Sequence, residues 1–523
     1  MRGYRLLKSR RNLALISTIK GELTETPLDI DASKLTPIVF GAATKGGELV
    51  VRQYLLLRIG GLNLSAALLR ALLPGKQLVF PMPFQWRALL EKHGFQPSHW
   101  RCELLWKLYA FAAWGYGVVQ IGRVLLAAIA SRSDRALPHD RHVYFVSLSR
   151  GNLPQRKGSV ASHDIVSWYL QWEGRDRQIA SVRHCVAGVG TVEVDGVAVR
   201  AQSGPLPPLS GMWRVFRYLA WGVMAAMTAL VSLLRGRWWD ALLLNQAALR
   251  AQVALSPADS LAREYFFHNS GWLYRPLWTY ELDSKQSRAT LYFYSTNCER
   301  FKTPQGYAGL YYGYSAMNWP HYLVWDRYQA DFVRRATGVE ANVSQVGPIW
   351  FSSNAETLPT YKGRYIALFD VTPARFSRYC ELAPDNEFYT PEVTNAFVQD
   401  AVAAARQYGA RILWKRKRKV PHAHPSYRHL IALLDQEETI IQIDPEVSAI
   451  RVIEACCAVI SMPFTSTAII ARSLGKLSVY YDPSRIVQRD DRAAHGIEIL
   501  TGRNELEHWM QKVFNTKAIS CPI

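Results

Sequence analysis

The feature that most constrains this chain is a regular alternation of strand-like and helix-like segments after Lys362. Short buried-type apolar runs alternate with longer segments of helical pattern, and only a few residues connect them. This alternation is typical of a doubly wound α/β domain around a parallel sheet. Thr390, Pro391 and Gly409 mark one helix clearly, as a capping residue, a first-turn proline and a terminating glycine.

The alternation predicts five strands and four helices. We expect strands at Tyr365–Phe369, Arg411–Trp414, Thr439–Ile443, Ala458–Ser461 and Ser478–Tyr481. We expect helices at Pro391–Tyr408, Tyr427–Leu434, Glu446–Cys456 and Ser466–Leu474. Ligands of such sheets bind beyond the carboxyl ends of the strands. Asp370, the loop Lys415–Pro425 and the loop Met462–Ser466 should therefore line one crevice.

The rest of the chain divides less regularly. At 523 residues it is long enough for two or three domains. Strand-like runs at His142–Leu148 and Ala289–Ser295 and a helical pattern at Trp325–Thr337 precede a hinge at Gln345–Pro348. We therefore divide the chain into residues 1–345 and 346–523.

Charge and cysteine content narrow the possible partners. Lys and Arg number 62 against 42 Asp and Glu, a formal charge of +20 that should attract phosphates, nucleic acid or acidic lipid. The seven cysteines are scattered with no CxxC pair, which argues against a zinc or redox motif and favours a reducing cytosol. The apolar run Leu13–Ile16 is too short for a signal-peptide core, so we expect no export.

Two apolar stretches raise the question of a membrane. Leu108–Val119 has the length of a buried helix, whereas Tyr218–Leu234 lies at the lower edge of spanning length and has arginines on both flanks. For the second we favour a helix lying in the membrane surface with Trp213, Trp238 and Trp239 at the interface; a core helix and a true span are the alternatives. We expect membrane-associating helices near residues 104–130 and 213–237.

Two loops of the C-terminal sheet carry groups that could hold a phosphate. Thr465, Ser466 and Thr467 offer hydroxyls and backbone N–H groups at a helix start, although ordinary helix capping would need the same residues. Five consecutive cations, Lys415–Lys419, follow another strand and suit a solvated face, anionic lipid or nucleic acid. His424, held before Pro425, could donate to a phosphate oxygen or protonate a leaving phosphate near neutral pH.

These motifs resemble known families. A basic run with His-Pro, followed by a Ser/Thr-rich turn into a helix ending in Leu-Gly-Lys, resembles the donor domain of bacterial sialyltransferases and Kdo transferases of the GT-B fold. The string Pro463–Ser466 resembles the signature of the polysaccharide biosynthesis proteins named for the PFTS motif. The resemblance covers about Tyr365–Tyr481 and implies two Rossmann-like domains facing a central cleft, with the acceptor bound by the first and the nucleotide-sugar donor by the second.

The resemblance also implies roles for individual residues. His424 would contact the donor phosphate and aid its departure, and Thr465, Ser466 and Thr467 would bind the same phosphate. Lys415 would bind the donor as part of the basic run, and Glu446 would contact the nucleotide, unless it is only a first-turn helix acid.

The acidic triplet of the resembled family is absent, which leaves the catalytic base open. Asp370 is the nearest substitute, either as a general base or as a turn aspartate that bonds its own backbone. The N-terminal domain offers five further candidates: Asp164, Glu264, His268, His321 and Asp326. Asp29 and Asp31 match a DxD metal motif by letter only, so we expect metal-independent chemistry with no cofactor.

The sequence thus predicts a metal-independent GT-B glycosyltransferase for a capsule, lipopolysaccharide or other surface polysaccharide. Its donor would be a nucleotide sugar, CMP-activated by resemblance, and its acceptor a glycan or lipid-linked glycan at the cytoplasmic face of the bacterial inner membrane, where the enzyme would be peripheral. A UDP- or GDP-hexose transferase, a nucleic-acid-binding protein and a non-catalytic membrane scaffold are the alternatives; a lone basic cluster is a poor reader of nucleic-acid grooves, and we expect no nucleic-acid partner.

Overall fold

The computed structural model describes most of the chain. The described residues are 10–30, 35–60, 62–130, 141–154, 164–268, 272–294, 298–307, 309–310, 313–338, 341–349, 358, 363–373, 388–416, 423–445 and 447–515. One predominantly parallel sheet, one parallel sheet and the helices packed around them make up the described fold.

The N-terminal sheet has eight strands. They are β1 (His142–Val146), β2 (Ser181–His184), β3 (Val192–Val194), β4 (Val197–Ala201), β5 (Glu264–Phe267), β6 (Arg288–Tyr292), β7 (His321–Val324) and β8 (Asn342–Gln345). The strand order is β3-β4-β2-β1-β5-β6-β7-β8, and all pairs are parallel except β3 with β4. The order reverses direction between β1 and β5, as in doubly wound sheets.

Helices surround this sheet and precede it. They are α1 (Arg10–Glu25), α2 (Pro37–Phe40), α3 (Gly47–Tyr54), α4 (Leu62–Ala71), α5 (Phe84–Lys92), α6 (His99–Ala130), α7 (Ile165–Gln171), α8 (Met212–Leu234), α9 (Trp239–Leu255) and α10 (Arg327–Thr337). Buried side chains of the first helices, such as Phe40, Leu55 and Trp86, form a core of their own with one end of α9.

The C-terminal sheet has six parallel strands. They are β9 (Tyr365–Phe369), β10 (Arg411–Lys415), β11 (Ile440–Ile443), β12 (Ala458–Ser461), β13 (Leu477–Asp482) and β14 (Ile499–Thr501). Their order is β11-β10-β9-β12-β13-β14, which is the Rossmann order 3-2-1-4-5-6. The helices are α11 (Pro391–Gln407), α12 (Pro425–Leu434), α13 (Ala449–Glu454), α14 (Ser466–Ser473) and α15 (Arg503–Asn515). The predicted α/β class with two Rossmann-like sheets is confirmed.

The sequence located the C-terminal elements closely but not completely. Thr390 caps α11 by accepting a hydrogen bond from Val393 N at 3.3 Å, and Gly409 has a φ of +63° after it. The helix predicted from Glu446 instead begins at Ala449, because Ser448 accepts from Ile450 N and caps it there. Strand β14 was not predicted, since three residues are too few to show a period.

Two helices present long apolar faces. Both α6 and α8 are long and apolar enough to cross a membrane, judged by length and composition alone in the described chain. The expectation of a buried helix over Leu108–Val119 is wrong: Leu108, Phe111 and Val119 are each more than half exposed. Only a narrow stripe of this stretch, including Ala110 and Gly117, faces the protein.

The tryptophans near α8 differ in environment. Trp213 is exposed as expected, but Trp239 is buried. Trp238 packs edge-to-face on Trp106, with ring centroids 5.0 Å apart. The expectation that all three would lie at a membrane interface is therefore wrong for Trp238 and Trp239, because they turn inward onto α6.

The two sheets contact each other through polar and aromatic groups. Asp326, which caps α10, contacts His495 (Nδ1 to Oδ2, 2.8 Å) and Arg472 of α14 (3.4 Å), both in the C-terminal half. Burial tends to raise the pKa of Asp326, but the hydrogen bond and charge of His495 outweigh it and hold the pKa below its usual range. Phe301 packs on Phe464 with centroids 4.9 Å apart.

The cap of α11 offers a test of the local assignment. Thr390→Ala should lower the free energy of unfolding by about 1 kcal/mol, since it leaves a first-turn N–H without its acceptor. Thr390→Ser keeps the hydroxyl and should retain most of the stability. Urea unfolding followed by circular dichroism measures both, and equal stability of the alanine and wild-type proteins would contradict the assignment.

Candidate active site

The point where the C-terminal strand order reverses brings the predicted loops together. Strand β9 pairs with β10 on one side and β12 on the other, so their carboxyl ends lie side by side. Asp370 follows β9, Lys415 ends β10, and the turn Met462–Thr465 follows β12. The structure thus places all three segments at one edge, where open α/β sheets bind ligands.

The Pro463–Ser466 string forms a tight turn between β12 and α14. Thr465 N donates to Met462 O at 3.0 Å, which closes the turn. The Thr467 hydroxyl lies 2.8 Å from Ser461 Oγ and 3.1 Å from Thr465 Oγ1. Because Thr465 is thus engaged and makes no side-chain cap, the first N–H groups of α14 keep their capacity to bind an anion.

Aromatic side chains hold this turn in place. Tyr480 donates its hydroxyl proton to Thr465 O at 2.9 Å, and Phe464 N donates to the Tyr389 hydroxyl at 3.0 Å. The ring of Phe464 packs edge-to-face on Tyr480 and against Phe301, which lies between β6 and β7 of the N-terminal half. The turn is therefore fixed from β13, from the start of α11 and from the N-terminal half.

His424 presents one ring nitrogen outward. Its backbone N donates to Pro373 O at 3.0 Å, which anchors it beside the end of β9. Its Nδ1 accepts from Ser426 N at 3.3 Å and lies 2.8 Å from Ser426 Oγ. Since Nδ1 accepts, the proton of the neutral ring is on Nε2, which is a donor suited to a phosphate oxygen.

Asp370 is buried at the end of the central strand. It is 2% exposed and accepts a hydrogen bond from the Tyr427 hydroxyl. Burial raises the pKa of Asp370 to about 6, although Tyr427, Trp414 and the charge of Arg416 act in the opposite direction. Desolvation therefore dominates, and the carboxyl group exchanges its proton near neutral pH.

Lys415 connects two loops. Its Nζ donates to Pro445 O at 3.1 Å, which ties the end of β10 to the segment after β11. Burial lowers the pKa of Lys415, while Asp370 and Asp444 oppose the shift. Glu446 and residues 417–422, including three cations of the basic run, lie outside the described residues.

The structure separates the other candidate bases. Glu264 and His321 begin β5 and β7 at the opposite edge of the N-terminal sheet, and Asp164 caps α7 through Ser167 N at 2.8 Å. Asp326 is bound to His495 and Arg472, whereas His268 directly follows β5, beside the reversal point of its sheet. Burial lowers the pKa of His268 to about 4, so its ring is neutral at pH 7.

A metal site does not emerge from the described residues. No group of three or more His, Cys, Asp or Glu side chains comes together among them in a way that could hold an ion. Asp31, half of the DxD string, lies outside them.

Several residues of the site escaped the sequence analysis. Tyr427 donates a hydrogen bond to Asp370, the Tyr389 hydroxyl accepts one from the turn, and Phe301 of the N-terminal half packs against the turn. Tyr427 stands two residues after Pro425 in the first turn of a predicted helix, which was a usable signal. Phe301 and Tyr389 lie 163 and 75 residues from Phe464, and no local pattern marks them.

The family of the chain follows from the segment that contains this site. The model of the polysaccharide biosynthesis PFTS motif proteins matches residues 221–510, more than half of the chain. The chain belongs to this family. The turn that names it, Pro463–Ser466, is the one that links β12 to α14 at the reversal point.

Comparisons beyond the family are distant. A search of curated proteins finds no match. Among solved structures the chain is similar to MnaA of S. aureus with UDP (8% identity, TM-score 0.37, 72% of this chain and 89% of that one). It is also similar to Medicago truncatula UGT71G1 with UDP-glucose (7% identity, TM-score 0.34, 73% of this chain and 91% of that one). A third similar structure is the wall teichoic acid polymerase TagF (10% identity, TM-score 0.35, 77% of this chain and 89% of that one). Likenesses at these TM-scores carry no argument about activity.

The raised pKa of Asp370 predicts a pH dependence of stability. Its folded pKa of about 6 exceeds the unfolded value of about 4, so the stability contributed by the protonated carboxyl is complete below pH 4 and is lost as the pH rises through 6. The melting temperature of wild type minus that of Asp370→Asn should therefore be larger at pH 4.5 than at pH 7.5. Asp435→Asn, at the exposed end of α12, is the control. If the difference in melting temperature between wild type and Asp370→Asn did not change with pH, Asp370 would not be desolvated.

Proposed function

We propose that the chain is a glycosyltransferase that moves a sugar from a nucleotide donor to a growing surface polysaccharide or lipid-linked glycan. The observation that carries this proposal is the family's PFTS turn at the reversal point of a Rossmann-ordered sheet, with His424 on the same edge. Transfer with a phosphate leaving group needs that phosphate held and its charge neutralised, and a hydroxyl deprotonated.

The turn and the histidine supply the first requirement. The hydroxyls of Ser466 and Thr467 and the first N–H groups of α14 would bind the donor phosphate at the positive end of the helix dipole. Nε2–H of His424 would donate to an oxygen of the same phosphate and neutralise charge as the sugar departs. None of these steps uses a metal ion or a further cofactor.

The donor is proposed to be a CMP-activated nonulosonic acid, sialic-acid-like or Kdo. This choice rests on the similarity of the His-Pro and Ser/Thr motifs to those of bacterial sialyltransferases and Kdo transferases. In this assignment Lys415 shapes the donor pocket through its bond to Pro445, and Glu446 contacts the nucleotide. A UDP- or GDP-hexose would occupy the same sheet edge and is the alternative donor.

Proton removal from the acceptor is assigned to Asp370. Its pKa of about 6 suits a base near neutral pH, and it ends the strand at the centre of the donor sheet. His268 is the second candidate, because it is neutral at pH 7 and lies at the carboxyl edge of the N-terminal sheet. If Asp370 is the base, Asp370→Asn lowers kcat far more than His268→Gln and removes the acidic limb of the pH profile.

The proposed localisation is the cytoplasmic face of the bacterial inner membrane, where a peripheral enzyme would bind lipid-linked acceptors. The alternative function is that of a non-catalytic scaffold of the same family, since the acidic triplet is missing. Turnover of a donor separates the two.

Nucleotide binding gives the direct test. CMP should raise the melting temperature of the purified chain, because a ligand that binds only the folded state stabilises it by mass action. His424→Ala and Ser466→Ala should each reduce the shift at subsaturating CMP. His429→Ala on the exposed side of α12 and Ser473→Ala at the far end of α14 are the matched controls and should leave it unchanged.

The outcomes discriminate among donors. A shift with UDP or GDP but not CMP would keep the site and replace the donor class. A shift that survives both site variants would place the nucleotide elsewhere. No shift with any of the three nucleotides would favour the scaffold.

A further inference from the structure

We propose that α6 and α8 form a single apolar surface that lies in the plane of an anionic bilayer, inserted into one leaflet without crossing it. This surface is defined by the most exposed large apolar side chains of the two helices. On α6 they are Leu104, Leu105, Leu108, Phe111, Tyr116, Val118, Val119, Leu126 and Ile129; on α8 they are Met212, Trp213, Phe216, Leu219, Val223, Met224, Met227, Val231 and Leu234.

The two helices pack antiparallel as one layer. Trp114 Nε1 donates to Ala226 O at 2.9 Å, and further along α6 Ile121 meets Gly222, where an added Cβ would lie 2.7 Å from its side chain. Both helices turn their inward stripes onto α9: Gly117 touches Leu244, and Tyr218 donates to Ala248 O at 3.1 Å. The exposed apolar side chains therefore point away from α9 on the same side of the layer.

The groups behind this layer argue against a spanning arrangement. Helix α9 carries Asp240, Arg250 and Gln252, all buried. Arg250 pairs with Glu281 at 2.8 Å and donates to Ile38 O at 3.0 Å, which joins α9 to segments on its far side. A bilayer surrounding α6 and α8 would have to envelop these charges and the attached α/β sheet, at a large desolvation cost. Insertion from one side needs no such burial.

The positive charges on and around these helices favour an anionic lipid surface as their binding partner. Helix α8 contains no Asp or Glu; Arg214 and Arg217 lie in its first two turns, and Arg235 and Arg237 follow its last residue. Since the helices are antiparallel, each end of the layer combines an exposed tryptophan with arginine: Trp100 with Arg101 at one end and Trp213 with Arg214 at the other. Tryptophan and arginine are enriched at membrane interfaces, and anionic headgroups attract the cations. A second copy of a chain of charge +20 would be repelled instead.

Vesicle flotation of the full chain tests the proposal. The chain should float with vesicles of phosphatidylcholine and phosphatidylglycerol, and much less with phosphatidylcholine alone. Val223→Asp and Met227→Asp, both in the middle of the exposed face, should each lower the bound fraction about tenfold or more. Ile486→Asp and Leu433→Asp are the matched controls, since these equally exposed apolar residues lie on the C-terminal half.

Melting temperatures close to wild type would show that the variants fold. Unchanged flotation of both folded α8 variants would overturn the proposal. The proposal would also be overturned if the wild-type chain forms a dimer that does not float and if Val223→Asp dissociates this dimer. The apolar surface would then be an interface between copies of the chain. The assay needs no nucleotide, so its result is independent of whether the transferase proposal holds.

Depth measurement separates an in-plane helix from a spanning one. A fluorescent amino acid placed at Phe216, Val223 or Val231 should be quenched similarly at all three sites, and more strongly by a shallow lipid quencher than by a deep one. Deep quenching confined to Val223, with shallow quenching at the two ends, would show a span and refute the in-plane arrangement.

Discussion

The parallel pairing of β9 with both β10 and β12 is the constraint on which the candidate site depends. In a doubly wound sheet the strand order runs in opposite directions on the two sides of the central strand. The loops that follow its two neighbours therefore diverge and leave a crevice between them. Asp370, His424 and the PFTS turn come from segments up to 96 residues apart, yet they meet at one edge for this reason. The pairing also explains the burial of Asp370, because the central strand has neighbours on both sides.

The PFTS turn does more than link β12 to α14. Its phenylalanine packs on Tyr480 of β13 and on Phe301 of the N-terminal half, so the turn also contributes to the contact between the two halves of the chain. Nearby, Lys302 N donates to Asp491 at 2.7 Å and Asp326 bonds His495.

The helical layer formed by α6 and α8 depends on a different kind of contact. Small residues on α6 and α8, such as Gly117 and Gly222, allow the backbones to approach α9 and each other closely, and the large apolar residues are left outside. An exposed apolar surface of this extent usually marks a partner or a membrane.

By itself, the sequence determined the elements of the C-terminal half from β9 to β13, apart from the start of α13, and the segments that meet at the carboxyl edge of its sheet. Local signals carried this information: the apolar runs, the Thr390 cap, the Gly409 stop and the fixed side of parallel strands on which loops open. Only the tertiary structure decided that Asp370 is buried against Tyr427, that Nδ1 of His424 is occupied, and that Phe301 reaches the turn. It also decided that α6 is exposed rather than buried. For Asp370, Phe301 and α6 the physical reason is the same: they depend on contacts between residues distant in sequence, and an apolar pattern shows which side chains avoid water but not what covers them. The Nδ1 contact of His424 is with Ser426, two residues away, and depends on the local backbone conformation at the start of α12.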